Sequence, residues 1–250
     1  MSKIEWTEQT WNPVTGCTKV SPGCKHCYAE TMSKRLKAMG APGYENGFQL
    51  SLLPERLSQP LQRRKSTMYF VNSMSDLFQE GVPFEFIDDV MGIIERTPWH
   101  TYQILTKRSE RMREYFSSRV VPNNAWLGVS VEDKKYGKPR IPDLQAIKAK
   151  TRFLSIESLL EDLGKIRLAG IHWVIVGGES GLGARPMQEL WVTRLRDQCE
   201  KMGVDFFFKQ WGAWGEDGVK RSKKANGRKL QGRVWDMIPS SSCSQTAISL

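Results

Sequence analysis

Three thiols stand close together near the start of the chain: Cys17, Cys24 and Cys27, in Gly16-Cys17-Thr18-Lys19-Val20-Ser21-Pro22-Gly23-Cys24-Lys25-His26-Cys27-Tyr28-Ala29, a spacing of C-x6-C-x2-C. A thiolate is a soft donor suited to zinc, copper(I) or an iron–sulfur cluster. A structural zinc site takes four protein ligands, and this loop offers three cysteines with no second C-x2-C or H-x3-H pair in the chain. His26 is set aside as the fourth, because neighbouring side chains rarely reach one ion together. On a [4Fe–4S] cluster, three thiolates leave one iron with an exchangeable position, which suits a cluster that must bind a small molecule. On the residues alone, zinc and ordinary buried cysteines both stay open.

Such a loop needs a scaffold, and the remaining sequence supplies one. Met68-Tyr69-Phe70-Val71 ends in Asn72-Ser73-Met74-Ser75-Asp76, and Thr101-Tyr102-Gln103-Ile104-Leu105 ends in Thr106-Lys107. Trp126-Leu127-Gly128-Val129 ends in Ser130 and Glu132, Arg152-Phe153-Leu154-Ser155-Ile156 in Glu157, His172-Trp173-Val174-Ile175-Val176 in Gly177-Gly178-Glu179-Ser180, and Asp205-Phe206-Phe207-Phe208 in Lys209-Gln210. Helical spacing covers Ala29 to Met39, the Phe86, Val90, Met91, Ile94 series stopped by Pro98, Glu110 to Phe116, and Glu189 to Met202. Apolar strands alternating with helices imply a parallel sheet covered on both faces. With a short strand ahead of the cysteines, this predicts an α/β fold: a single-domain full or partial (β/α) barrel of about 6–8 parallel strands, with a C-terminal basic loop. The domain is expected to span residues 1–239, with 240–250 a disordered polar tail.

In such a fold the carboxyl ends of the strands carry the site. Gly177-Gly178-Glu179-Ser180-Gly181 allows close backbone approach, and Glu179 can accept from an ammonium or a substrate donor. Glu157, with Glu132, is a candidate acid/base pair for hydrolysis. His100 and His172 precede apolar strand residues and read as structural. Beyond Gln210, Trp211 and Trp214 lie in a Gly-spaced loop. Between Gly218 and Val234, Lys220, Arg221, Lys223, Lys224, Arg228, Lys229 and Arg233 occur without an acid. Aromatic residues beside cations suit stacking on bases and contact with phosphates; a solvated surface loop is the plain alternative.

The cysteine segment resembles the signature of the radical S-adenosylmethionine (SAM) superfamily, whose usual spacing is C-x3-C-x2-C, with three extra residues between the first two cysteines. Within that superfamily it is similar to the Asn-Pro, Gly-Cys, Cys-x-x-Cys-Tyr-Ala pattern of spore photoproduct lyase-like proteins. A phage and prophage family labelled gp thirty-seven/sixty-eight has the longer spacing and resembles the chain over roughly residues 2 to 238. The resemblance implies a radical SAM-like barrel and a [4Fe–4S] cluster on Cys17, Cys24 and Cys27. It also implies S-adenosyl-L-methionine bound at the open iron and cleaved reductively to a 5′-deoxyadenosyl radical. Tyr28 would pack near that cofactor, the strand end bearing Ser73, Ser75 and Asp76 would contact it, and Lys107 would pair with its carboxylate. An electron donor of flavodoxin or ferredoxin type is implied as a partner.

Lys and Arg number 37 against 27 Asp and Glu, a net charge of +10 that favours a polyanionic partner such as nucleic acid. Five cysteines, three of them clustered, fit a reducing compartment better than a disulfide framework. No run of eighteen apolar residues and no signal-like apolar core is present, so the expected setting is the cytoplasm. The leading expectation is a radical SAM-like enzyme acting on nucleic acid. The competing ones are a zinc-stapled nucleic-acid-binding protein without radical chemistry, and a barrel hydrolase or nuclease using rim carboxylates.

Overall fold

A computed structural model describes residues 4–181 and 183–240. The expected tail, and Cys243 within it, lie almost wholly outside the described residues. Seven strands form one sheet: β1 (Gln9–Trp11), β2 (Met68–Val71), β3 (Thr101–Thr106), β4 (Ala125–Ser130), β5 (Thr151–Glu157), β6 (Trp173–Gly177) and β7 (Asp205–Gln210). They lie side by side in chain order, and every neighbouring pair is parallel. Crossovers between successive parallel strands without reversal stack helices on one face of the sheet and curl the other into a concave wall. Among the described residues β1 and β7 do not pair, so the wall is a partial barrel. Both ends of the chain contribute to this one sheet.

Two apolar clusters separate the faces. On the outer side, Val71, Ile104, Val129, Leu154, Val176 and Phe208 pack with residues of α2 (Phe84–Arg96) and α5 (Glu189–Met202), including Ile87, Val90, Val192 and Leu195. On the inner side a smaller cluster joins Trp6, Trp126, Phe153, Trp173, Ile175 and Phe207. Period-2 alternation sorts each strand: Phe153, Ser155 and Glu157 share the concave face, while Leu154 and Ile156 face the helices. Gly128, opposite Phe153 in the register, lacks the Cβ that would overlap the Phe153 ring. Trp6 plugs the concavity from the N-terminal segment, its ring 4.7 Å from Phe70 and 6.1 Å from Trp173, its carbonyl accepting from Gln103 Nε2 at 3.1 Å.

The helices α1 (Tyr28–Ala38), α2, α3 (Ser109–Tyr115) and α5 agree with the expected segments. Two connections differ. A short helix α4 (Arg140–Ala146) follows β4, with Pro142 in its first turn. Between β5 and β6 there is no helix: the chain turns at Gly164 (φ 60°) and Gly170 (φ 67°), and tucks Leu159, Leu163, Ile166 and Leu168 against the outer core in an irregular path. No helix among the described residues is long and apolar enough to cross a membrane.

Candidate functional site at the carboxyl rim

The cysteine loop leaves β1 through Val14–Thr15, which pairs antiparallel with Ser51–Leu52. At Gly16 the backbone turns to φ 79°, and a side chain there would overlap the Gln49 carbonyl. Gly16 N donates to Met74 O (3.1 Å) and Cys17 N to Phe48 O (3.3 Å), so the first thiol is held by main chain. Pro22–Cys24 form a single 3-10 turn, and Cys27 immediately precedes α1, its carbonyl accepting from Thr31 N at 3.2 Å.

From Cys17 to Cys27 the loop crosses the carboxyl ends of the strands and is fastened at three of them. After β3, buried Arg108 reaches Cys17 Sγ (3.6 Å), Thr18 Oγ1 (2.7 Å) and Thr18 O (3.3 Å), while bonding Asp76 Oδ2 (3.1 Å) and Glu80 (3.0 Å). After β4, fully buried Glu132 accepts from Ser21 Oγ and from Arg140 Nη1 (2.6 Å), and the Cβ position of Gly23 lies 3.0 Å from its Cγ. After β6, Arg185 bridges Glu179 (2.6 and 2.9 Å) to the Pro22 carbonyl (3.2 Å), and His26 Cε1 lies 2.6 Å from the Cβ position of Gly183.

The ionisation of these groups follows from their partners. Burial, reinforced by the Asp76 charge and only partly offset by Arg108, pushes the Cys17 thiol up to about 11. Burial would raise Glu132, but the Lys107 and Arg140 cations and the Ser21 hydroxyl outweigh it and hold the carboxyl below its ordinary range. Burial acts the same way on Glu179, and the Arg185 guanidinium and amide again win.

All three cysteines are free and half-buried at the rim. Their donor type and number fit a thiolate-held iron–sulfur cluster. Among the described residues no three or more His, Cys, Asp or Glu side chains converge as ligands of one ion. Zinc ligands must converge on a single point, whereas cluster thiolates each take a separate iron.

The expected cofactor residues divide. Ser73 Oγ donates to Asn12 Oδ1 (3.1 Å) and Ser75 Oγ to Val14 O (2.8 Å). Asp76 is buried and accepts from Phe78 N, Thr106 Oγ1, Lys107 N and Arg108 at 2.7 to 3.1 Å. Ser75 and Asp76 thus fasten the turn after β2 to the segment after β1 and to the turn after β3. Tyr28 is 61% exposed beside Cys27. Lys107 borders a cleft of about 570 Å3 that also meets Val20, Arg108, Tyr136 and Arg140, a size suited to a small-molecule ligand.

The carboxylates proposed for hydrolysis have different partners. Glu157 lies on the concave face, accepting from Trp6 Nε1 (3.1 Å) and Lys209 Nζ (2.6 Å); Glu132 belongs to Arg140 and Ser21. In the basic segment, Trp211 is 1% exposed, edge-on to Phe208, with Nε1 bonded to Lys229 O at 2.7 Å. That burial corrects its assignment as a stacking residue. Trp214 is half-buried, with Lys220 Nζ 5.6 Å from its ring. Arg221 pairs with Asp217 and Lys223 with Glu5; Lys224 and Lys229 are exposed, and Arg228 lies over the Phe207 ring at 4.9 Å.

Sequence reasoning missed Arg108 and Arg185, and placed Lys209 at a strand end without giving it a role. Arg108 follows Lys107 directly and Lys209 ends an apolar run, signals that were present; nothing local marks Arg185.

Solved structures of spore photoproduct lyase are similar at low identity. A cysteine-to-serine mutant shares 11% identity, covering 71% of this chain and 57% of its own length, with a TM-score of 0.48. A cysteine-to-alanine mutant with dinucleoside spore photoproduct shares 12%, covering 85% and 68%, with a TM-score of 0.46. The chain thus spans little more than half the length of the first of these. No curated protein matches. Residues 1–239 match one family profile throughout, and the chain belongs to the family described as Protein of unknown function (DUF5131).

Proposed function

We propose that this protein is an iron–sulfur, radical SAM-like enzyme whose reaction takes place at the carboxyl rim and whose substrate is nucleic acid. Cys17, Cys24 and Cys27 hold a [4Fe–4S] cluster. When bound, cluster and S-adenosyl-L-methionine together supply reductive cleavage of the sulfonium to a 5′-deoxyadenosyl radical, with the electron from a flavodoxin- or ferredoxin-type donor. The chain's own residues position the parts. Arg108, Glu132 and Arg185 fix the thiol loop over three strand ends; Lys107, on its cleft, offers a cation for the cofactor's carboxylate. Glu157 and Lys209 line the concave wall below, where the aromatic floor excludes water.

One observation carries this reading: a loop with three free thiols is fastened, by side chains from separate strand ends, across the end of the sheet where barrel sites are built. A hydrolase using rim carboxylates has less support, because Glu132, Glu157 and Glu179 each end in an ion pair with Arg140, Lys209 or Arg185.

Anaerobic purification and reconstitution test the proposal. The expected protein is brown, carries about four irons per chain, and releases 5′-deoxyadenosine with reductant and S-adenosyl-L-methionine. Replacing any one of the three cysteines with Ala abolishes that release. A colourless protein with one zinc per chain supports the stapled binding protein instead, and a full cluster that releases no 5′-deoxyadenosine removes the radical chemistry.

A further inference from the structure

Arg108 meets the cysteine loop with every nitrogen of its guanidinium engaged. Nε bonds Glu80 (3.0 and 3.1 Å), Nη2 donates to Thr18 Oγ1 and Thr18 O, and Nη1 is shared between Asp76 Oδ2 (3.1 Å) and the sulfur of Cys17 (3.6 Å). The three thiols are therefore not equivalent. Among the described residues no N–H reaches the sulfur of Cys24 or Cys27; the Ser21 hydroxyl lies 3.9 Å from Cys24 Sγ but gives its hydrogen to Glu132. As a free thiol, Cys17 donates to Thr18 O at 3.4 Å. A metal takes the place of that hydrogen, and the Arg108 N–H then meets a thiolate.

Such a donor bears on electron transfer. Reducing an iron–sulfur cluster adds one negative charge, so a cation or an N–H beside a ligating sulfur stabilises the reduced form more than the oxidised one and raises the potential. Burial strengthens the effect, because water does not screen it. The Arg108 and Asp76 side chains are 5% and 8% exposed, whereas that of Glu80 is 67% exposed and its charge is largely screened. Two buried charges of opposite sign thus stand at one sulfur: the guanidinium in contact with it, and the carboxylate bonded to the same nitrogen.

We propose that the Arg108–Asp76 pair sets the reduction potential of the cluster through Cys17, Arg108 raising it and Asp76 lowering it. The inference rests on the cluster proposed above and adds which side chains govern entry of the single electron from the flavodoxin- or ferredoxin-type donor. Arg108 acts through a ligand and touches no reacting atom, so it is a positioning residue whose task is to place charge.

The test is a mediated redox titration of the reconstituted full chain without S-adenosyl-L-methionine, following the visible absorption of the cluster and the EPR signal of its reduced form. R108Q is expected to make one-electron reduction about tenfold less favourable, a midpoint about 59 mV lower. D76N, which removes the negative charge and keeps the shape, is expected to make it about tenfold more favourable, a midpoint about 59 mV higher. R108K, which keeps the cation, is expected to shift less than R108Q. Opposite signs separate charge from looseness: a loop that merely admits water would move R108Q and D76N the same way, because both break the same ion pair. Shifts of one sign, or no shift, would overturn the inference. Should R108Q fold or load poorly, D76N and R108K decide, and a midpoint that D76N lowers or leaves in place overturns it. Iron content is read first on every sample. An unaltered chain that takes up no cluster overturns the rim reading and this inference together, whereas a loaded chain whose midpoint ignores the pair overturns this inference alone.

Discussion

Arg108 donates to the sulfur of Cys17 across 3.6 Å while the same Nη1 bonds Asp76 Oδ2 at 3.1 Å. One guanidinium thus ties the first thiol of the loop to the turn after β2. Arg108 is 7% and Asp76 6% exposed, and the carboxylate raises the already high affinity of the guanidinium for its proton.

Removing the cation strands a buried carboxylate. R108M is expected to cost about 3–5 kcal/mol, measured by urea denaturation, and to speed tryptic cleavage after Lys19 in native protein. D76N/R108M is expected to recover a good part of that loss, because neither charge is then left alone. A double variant as unstable as the single one would show that Arg108 works chiefly through Thr18 and Glu80.

A backbone device seats the same thiol. G16A places a Cβ at φ 79° against the Gln49 carbonyl, and is expected to cost about 1–3 kcal/mol from strain. The damage should be local: faster reaction of Cys17 with a disulfide reagent, while buried Cys199, its thiol pushed up to about 12, stays unreactive in the native state. An unchanged Cys17 rate would show that the loop does not depend on this turn.

Much of this arrangement is legible in the sequence, and the failures have physical causes. Apolar runs ending in polar tips mark the strands because a two-sided sheet demands both, and α5 falls at Glu189–Met202 as its periodicity predicts. The helix α4 is hidden because Pro142 reads as a breaker although it sits harmlessly in the first turn. The stretch from Leu159 to Leu168 carries apolar spacing that Gly164 interrupts. At the site, residue types near the strand ends are visible but their pairing is not: Asp76 and Arg108, or Pro22 and Arg185, meet only once the loop crosses the rim. Trp211 is misread for the same reason, since a Gly-flanked Trp looks exposed until Phe208 and Lys229 close over it.

His100 gives the fold a dependence on pH. Its ring is 1% exposed, lies 5.1 Å from that of Tyr69, and has Nε2 3.2 Å from Pro60 O. Burial lowers its affinity for a proton below the ordinary value of 6.5. The folded state therefore binds the proton less readily than the unfolded chain. The histidine's contribution is fully present above pH 6.5 and is lost as pH falls from there through the depressed folded value. Thermal melts at pH 7.5 and 5.5 should show a larger loss on acidification for the unaltered protein than for H100Q; equal losses would assign the acid sensitivity to other groups.

The concave wall carries one ion pair whose removal separates packing from charge. Lys209 Nζ lies 2.6 Å from Glu157 Oε2, the two side chains 17% and 16% exposed, and Trp6 Nε1 holds the other carboxylate oxygen. K209M keeps the length of the stem but leaves Glu157 with a single neutral donor, and is expected to cost about 1–3 kcal/mol. E157Q alone leaves the ammonium unpaired, with Glu5 the next carboxylate whose charge reaches Lys209. In the double variant both charges are gone, so the two losses should not add; a coupling of about 0.5–3 kcal/mol is expected from the cycle. A coupling near zero would mean that Trp6 and the aromatic floor hold Glu157 without help from Lys209. The same variants bear on the proposed reaction: if the pair only shapes the wall, E157Q leaves 5′-deoxyadenosine release intact, whereas a role in positioning substrate shows as release uncoupled from product.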